Sequence, residues 1–354
     1  MAYTTIDNPA LFFDTILYSG NGSNPRTITG LEFQPDWVWL KNRTNANGHT
    51  LADAVRGANK TISSDGADPE ITDKSDGHLD AFTSDGFTVG AGSSSDNRVN
   101  DGSYTYVAWN WKANGSGSSN GDGDITSTVS ANTTSGFSIV AYTGTGSNAT
   151  VGHGLGAVPK AIIIKELNPA STRFWRVYYE SMGNNKVMYL DVNNTSATDS
   201  TAFNSTTPTS SVFSLGTSVG TNESGKNFIA YCFAEKKGYS KFHSYTGNGS
   251  SSDGPFVHTG FKPAFVMIKK SSGTSNWTLW DTSRLFNEIN KPLYADLSSA
   301  ESAQSTVKLD LLSNGFKLRG NGSNINSSSG TYTYMAFAEN PFVTEGTKAA
   351  GTAR

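Results

Sequence analysis

Three landmarks recur three times, in one order, along this 354-residue chain, and that repetition constrains the fold more than any single motif. The first is a turn signature: Tyr18-Ser-Gly-Asn-Gly-Ser23, Tyr142-Thr-Gly-Thr-Gly-Ser147 and Tyr245-Thr-Gly-Asn-Gly-Ser250. The second is a proline six residues ahead of a lysine: Pro35 to Lys41, Pro159 to Lys165 and Pro263 to Lys269. The third is an apolar stretch around an alanine: Tyr106-Val-Ala-Trp-Asn-Trp111, Phe228-Ile-Ala-Tyr-Cys-Phe233 and Tyr334-Met-Ala-Phe-Ala-Glu339. From each proline to that alanine is 73, 71 and 73 residues. The spacing describes three copies of one unit, over 12–113, 136–236 and 237–340. An N-terminal segment, 1–11, precedes them, and a C-terminal tail, 341–354, follows.

The unit reads as strand almost throughout. Ala161-Ile-Ile-Ile-Lys165 is a short β-branched run of the kind buried on both faces of a sheet. Ser103–Trp109 and Thr331–Ala338 are rich in aromatic and β-branched residues. Gly-Asn-Gly, Asp-Gly and Asn-Gly punctuate such runs and supply the positive φ of tight turns. Thr282–Glu288 alone suggests one or two helical turns. Hydrophobic residues are only 36% of the chain, yet 19 Phe, 14 Tyr and 7 Trp remain to build a core. The expected fold class is all-β: three tandem antiparallel β-sandwich repeats, jelly-roll-like. Residues 114–135 read as a flexible linker because Asn114–Asp124 is rich in Gly and Ser. Only Glu235–Gly238 joins the second and third copies, so those two should form a close pair with the first more loosely attached.

Charge excludes some partners. The formal net charge is −3, and no dense basic patch points to nucleic acid. No apolar run approaches the ~18 residues of a membrane helix, so no membrane insertion is expected. The N-terminus lacks the basic and apolar regions of a signal peptide. Cys232 is the only cysteine and sits in an apolar run, as a buried thiol would.

No motif assembles into chemistry. Gly117-Ser-Ser-Asn-Gly121 fits a nucleophile elbow in letters, but it lies in the Gly/Ser stretch and lacks the strand and helix an elbow needs. Gly220–Lys226 nearly spells a phosphate loop, but Asn227 replaces the magnesium-binding hydroxyl. Asp65, Asp68, Glu70, Asp73, Asp76 and Asp80 crowd one stretch without the spacing of a calcium loop, and read as a solvated loop. His49, His78, His153, His243 and His258 are scattered, with His153 read as a turn residue. Asp53 with Arg56, and Asp281 with Arg284, are spaced to pair on one turn; the middle copy has no counterpart. A local salt bridge is the expected role. Trp37, Trp39, Trp109, Trp111, Trp175, Trp277 and Trp280 are core residues by default. No catalytic, cofactor or metal residue is assigned, and no enzymatic activity is expected.

The opening Met1-Ala-Tyr-Thr-Thr-Ile-Asp7, the Tyr-Thr-Gly-Asn-Gly-Ser turns, Trp109-Asn-Trp-Lys-Ala113, Gly152-His-Gly-Leu-Gly156 and Ala336-Phe-Ala-Glu-Asn-Pro-Phe342 together resemble a family of virion structural or tail-fibre-like proteins. These belong to tailed bacteriophages of marine bacteria, cyanophages included. The resemblance implies a place on the exterior of the phage particle. It implies a non-enzymatic surface protein of the tail-fibre or adhesin type, mediating host-surface binding or fibre assembly. The partners would be other virion proteins, further copies of the chain in a homo-oligomer, and a host surface glycan or protein receptor. A head decoration or fibre-adaptor protein is the alternative, favoured by the absence of any heptad stalk. A polysaccharide depolymerase is the third, though no spacing singles out two carboxylates. Met1–Leu11 is the candidate anchor, since it precedes the first copy.

Overall fold

The computed structural model describes residues 4–72, 75–169, 171–284 and 289–342. The first repeat forms β1 (Phe13–Ser19), β2 (Arg26–Thr29), β3 (Trp37–Asn42), β4 (Thr50–Asp53), β5 (Thr61–Ile62), β6 (His78–Thr83), β7 (Gly86–Gly90) and β8 (Thr105–Trp111). Next come β9 (Ser118–Asn120), β10 (Ser127–Asn132), β11 (Phe137–Thr143), β12 (Ala149–Gly152), β13 (Pro159–Glu166) and β14 (Arg176–Tyr179). They are followed by β15 (Lys186–Val187), β16 (Ala197–Thr198), β17 (Val212–Leu215) and β18 (Asn227–Ala234). The third repeat supplies β19 (Ser240–Thr246), β20 (Phe256–His258), β21 (Phe261–Lys270) and β22 (Thr278–Asp281). It ends with β23 (Leu293–Tyr294), β24 (Leu309–Leu312), β25 (Gly315–Leu318) and β26 (Thr331–Pro341).

The chain is all-β and β-sandwich-like, and every pairing between these strands is antiparallel. The first repeat has an inner sheet ordered β1-β8-β3-β4-β5 and an outer sheet β2-β7-β6. The third has the same wiring, β19-β26-β21-β22-β23 and β20-β25-β24. The second keeps the inner order β14-β13-β18-β11 but extends it with β10 and β9. Its outer layer is broken into two short pairs, β12-β17 and β15-β16. The β1–β8 and β2–β7 pairings are jelly-roll-like. The wiring departs from that pattern at β6 and β7, which a Ser84-Asp85 turn joins into a hairpin.

Alternation along the central strands divides the core. In β3, Trp37 and Trp39 point one way while Val38 and Leu40 point the other. Ala161 and Ile163 alternate in the same way with Ile162 and Ile164, as do Phe265 and Met267 with Val266 and Ile268. One set from each repeat meets in a single shared core, and the other set packs under that repeat's own outer sheet. Three ring contacts knit the shared core. Trp37 stacks on Tyr231 at 4.3 Å, Phe13 on Phe337 at 5.2 Å, and Phe233 meets Phe337 at 6.0 Å. All seven tryptophans are buried.

Several expectations need correction. The stretch 114–135 is no flexible linker: Ser118–Asn120 and Ser127–Asn132 are strands that extend the second repeat's inner sheet. Two of its glycines, Gly117 and Gly123, are closely packed. A Cβ on Gly117 would come within 2.8 Å of the Val129 backbone. Asp36 fixes the start of the stretch by accepting from the N–H groups of Ala113 and Gly115. The first repeat is therefore not loosely attached; its four inner tryptophans lie in the shared core. The N-terminal segment packs with the repeats, since Ile6 is buried in that same core. Thr282–Arg284 form a turn after β22. The rest of the expected helical stretch, 285–288, and the tail beyond Phe342 lie outside the described residues.

Candidate functional site

The repeats lock together at both ends of their inner sheets. At the end where β3 begins, Asp53 closes β4 opposite Trp37. Its Oδ1 accepts from the Arg56 backbone N–H, and its Oδ2 from Arg56 Nε at 2.5 Å. The same Oδ2 accepts from the Tyr231 hydroxyl of the second repeat at 2.8 Å. Asp281 has the same register place, opposite Phe265, and the same grip on Arg284 Nε at 2.6 Å. Its second donor is Trp109 Nε1 of the first repeat, at 3.0 Å. In the middle repeat Tyr179 stands in this register, opposite Ala161, with a buried hydroxyl that has no hydrogen-bond partner among the described residues. Burial opposes charge on Arg56, but Asp53, Tyr231 and Glu70 together hold it above the usual arginine range. Each Asp–Arg pair spans a strand end and the turn after it, and its aspartate also takes a donor from another repeat, which is more than a local bridge.

At the opposite end a second set of contacts closes in cyclic order. Lys165 donates to Ala67 O of the first repeat at 2.9 Å, and Lys269 to Asn193 O of the second at 3.0 Å. Lys41 donates to Ser298 O of the third at 3.0 Å. Burial pulls all three lysines down to about 8. Beside them Trp175 Nε1 donates to Ser63 O, and Trp277 Nε1 to Tyr189 O. His49 holds this place in the first repeat. Its Nδ1 accepts from Trp39 Nε1, so the proton is on Nε2, which donates to Tyr294 O at 2.9 Å. Burial holds His49 down to about 4.

The gripped loops are equivalent. Each carries an aspartate, Asp65, Asp191 or Asp296, whose Oδ1 accepts from the backbone N–H of His49, Trp175 or Trp277 respectively. The gripped carbonyls lie two residues before and two after that aspartate. Asp65 gains a further bond from Ser63 Oγ. Among the described residues Asp191 Oδ2 and Asp296 Oδ2 are buried without a hydrogen-bond partner, and burial pushes these carboxyls up to about 7 and about 6.

The same end carries the three turn signatures. Ser19 lies opposite Thr105 and Asn42 opposite Tyr106, so the segments leaving β1 and β3 emerge together. The registers of β11 with β13 and β19 with β21 repeat this arrangement. Each turn is pinned by one buried asparagine. Asn100 Oδ1 accepts from Asn21 N, Asn222 Oδ1 from Thr145 N, and Asn326 Oδ1 from Asn248 N. Their amides donate back to Ser23 O, Ser147 O and Ser250 O. The tyrosine of each signature donates to the backbone beside that asparagine: Val99 O, Thr221 O and Ile325 O. The turn glycines Gly22, Gly146 and Gly249 have φ of 69°, 74° and 73°, the left-handed region glycine tolerates best.

A family model described as a domain of unknown function matches residues 8–341. The chain belongs to the DUF7483 family. No curated protein and no solved structure matches it. The DUF7483 match runs across all three repeats, so the family's unit is the whole ring of repeats and not one of them.

Within this DUF7483 chain the other sequence motifs separate. Gly117–Gly121 brackets edge strand β9, and Gly220–Lys226 begins in a single helical turn, Val219–Asn222, before β18. The acidic stretch is dispersed: Glu70 pairs with Arg56, Asp76 with Arg98, and Asp80 with His78. Asp73 lies outside the described residues. Among the described residues no three His, Cys, Asp or Glu side chains converge to hold a metal. His153 is buried, and its ring accepts from Leu155 N, bracing the Gly-rich turn. The pinning asparagines were missed by motif reading. Their signal is regular: each lies six residues before the aromatic that opens the closing strand, Tyr106, Phe228 or Tyr332.

Proposed function

We propose that this chain is a surface structural protein of a bacteriophage virion, of the tail-fibre or adhesin type, that works by binding and not by catalysis. One observation carries the reading. A ring of three interlocked repeats holds the same polar turn three times at one end, each pinned by a buried asparagine. A pre-ordered loop loses little entropy on binding, as suits contact with a host surface glycan, a receptor protein or a fibre component. The buried ionisable groups support the non-enzymatic reading, because the Asp–Arg pairs and the three lysines are spent on contacts between repeats.

The test is proteomic and functional. Purified particles of a marine tailed phage encoding the chain should contain it. Particles lacking it should adsorb poorly or assemble incompletely. Purified protein should release no oligosaccharide from host surface polysaccharide. Intact, fully adsorbing particles without the chain would sink the proposal, as would polysaccharide cleavage abolished by a single Asp or Glu substitution.

A further inference from the structure

The geometry points to a specific partner for the turn-bearing end: a homotrimeric protein on whose threefold axis one copy of this chain sits. This rests on the virion-surface reading and goes further, by naming the symmetry and chemistry of the partner. The contacts between repeats close a ring, since the second repeat grips the first, the third grips the second, and the first grips the third. Aromatic donors follow the same order through Trp175, Trp277 and His49. A ring closed by equivalent contacts places equivalent parts around a common axis. The three turns leave the same end of that ring, at equivalent places on their sheets.

A covalently joined set of three therefore offers one site three times. A partner with one matching site would use a third of that surface. A partner with three identical sites uses all of it, and simultaneous engagement multiplies weak contacts by ~10²–10⁴. Residues 19–24, 143–148 and 246–251 contain only Ser, Thr, Gly and Asn. With neither charge nor apolar side chains, these turns suit a neutral partner surface of backbone amides and hydroxyls, bound with little dependence on salt. Stiffness makes the trio usable together, because each turn is fastened to a buried asparagine.

The experiment uses intact particles and exposed turn positions. Ser23, Ser147 and Ser251 are exposed, so S23W, S147W and S251W add bulk to the turns without entering the core. Each single variant should enter particles at least tenfold less well, and the triple variant should be absent from them. Melting temperature of the purified proteins should stay unchanged. A cryo-EM map of wild-type particles should show one chain per three partner subunits, on a threefold axis. Finding the chain in particles off any threefold axis, or a triple variant incorporated at wild-type level, overturns this inference and leaves the virion reading standing. Absence of the wild-type chain from particles overturns both.

Discussion

The two ends of the ring hold the repeats together by opposite means. At the end where β3 begins, each buried carboxylate is matched: Asp53 and Asp281 have an arginine and a second donor from another repeat. At the turn end, lysines donate to backbone carbonyls, while Asp191 and Asp296 each leave one buried oxygen without a partner. Burying charge is tolerable when every polar atom is paired and costly otherwise. The first end is thus the one whose buried Asp–Arg charges are fully paired. The second depends on protonation, because a lone buried carboxyl oxygen is easier to keep when the group is neutral.

The contrast is sharpest at the matched end. D281A would leave Arg284 buried with the Leu279 and Lys291 carbonyls and, among the described residues, only one carboxylate near its guanidinium, Glu301 at 3.8 Å, and would orphan Trp109 Nε1. We expect a loss of about 3–5 kcal/mol in urea unfolding. D53A should cost less, because Glu70 remains 3.0 Å from Arg56. In the same register Y179F removes a hydroxyl with no hydrogen-bond partner among the described residues and should be neutral or slightly stabilising. If Y179F destabilised the protein as much as D281A, the matched-charge account of this end would fail.

At the turn end the readout is pH. Burial raises Asp191 to about 7, so the fold favours its protonated form. Stability from this group is full below its unfolded value of ~4 and is lost as pH climbs through 7. Lys165 and Arg176 face Asp191 and offset part of that burial. D191N should flatten the fall between pH 4 and 7 by on the order of 2–4 kcal/mol. D296N should do the same over a narrower range, since Asp296 rises only to about 6. Superimposable pH–stability curves for wild type and D191N would show that the unpartnered oxygen has no cost.

A smaller effect separates His49 from the tryptophans in its class. H49F keeps the ring but removes both the bond to Tyr294 O and the acceptor for Trp39 Nε1. Two buried groups then lack partners, for a cost of about 1–3 kcal/mol in thermal unfolding. A cost below measurement would mean that the aromatic ring alone closes the first repeat onto the third.

How much of this was readable depended on locality. The all-β class, the three repeats and the Pro-to-Lys spacing follow from residues close in sequence, where alternation and turn chemistry act. Lys41 could be read as a landmark, but its acceptor, Ser298, is 257 residues away. Nothing in local sequence announces a ring closure of that span. Ser118-Ser-Asn120 reads as flexible because small polar residues suit an edge strand and a linker equally. The aspartates beside the gripped carbonyls recur as Tyr189-Leu-Asp191 and Tyr294-Ala-Asp296, but Ser63-Ser-Asp65 hides the third. The three pinning asparagines are hidden among 28 others, many of them in turns, where a solvated asparagine is the default reading.

The finest test of the turn end lies in the turns themselves. All three hold a glycine at positive φ, yet what surrounds each differs. A Cβ on Gly22 would meet nothing within 4 Å, so G22A carries only the cost of the left-handed backbone, about 1 kcal/mol. On Gly146 it would come within 3.2 Å of Ser224 Cβ, and on Gly249 within 3.0 Å of Ser328 Cβ. G146A and G249A should therefore cost more than G22A, with G249A the largest, as differences in melting temperature. The order matters more than the size. It follows from how closely each turn is held against the segment carrying its pinning asparagine, as Ser224 follows Asn222 and Ser328 follows Asn326. Equal costs at the three sites would mean that the turns are stiff on their own account, and that the asparagines do not fasten them to the ring.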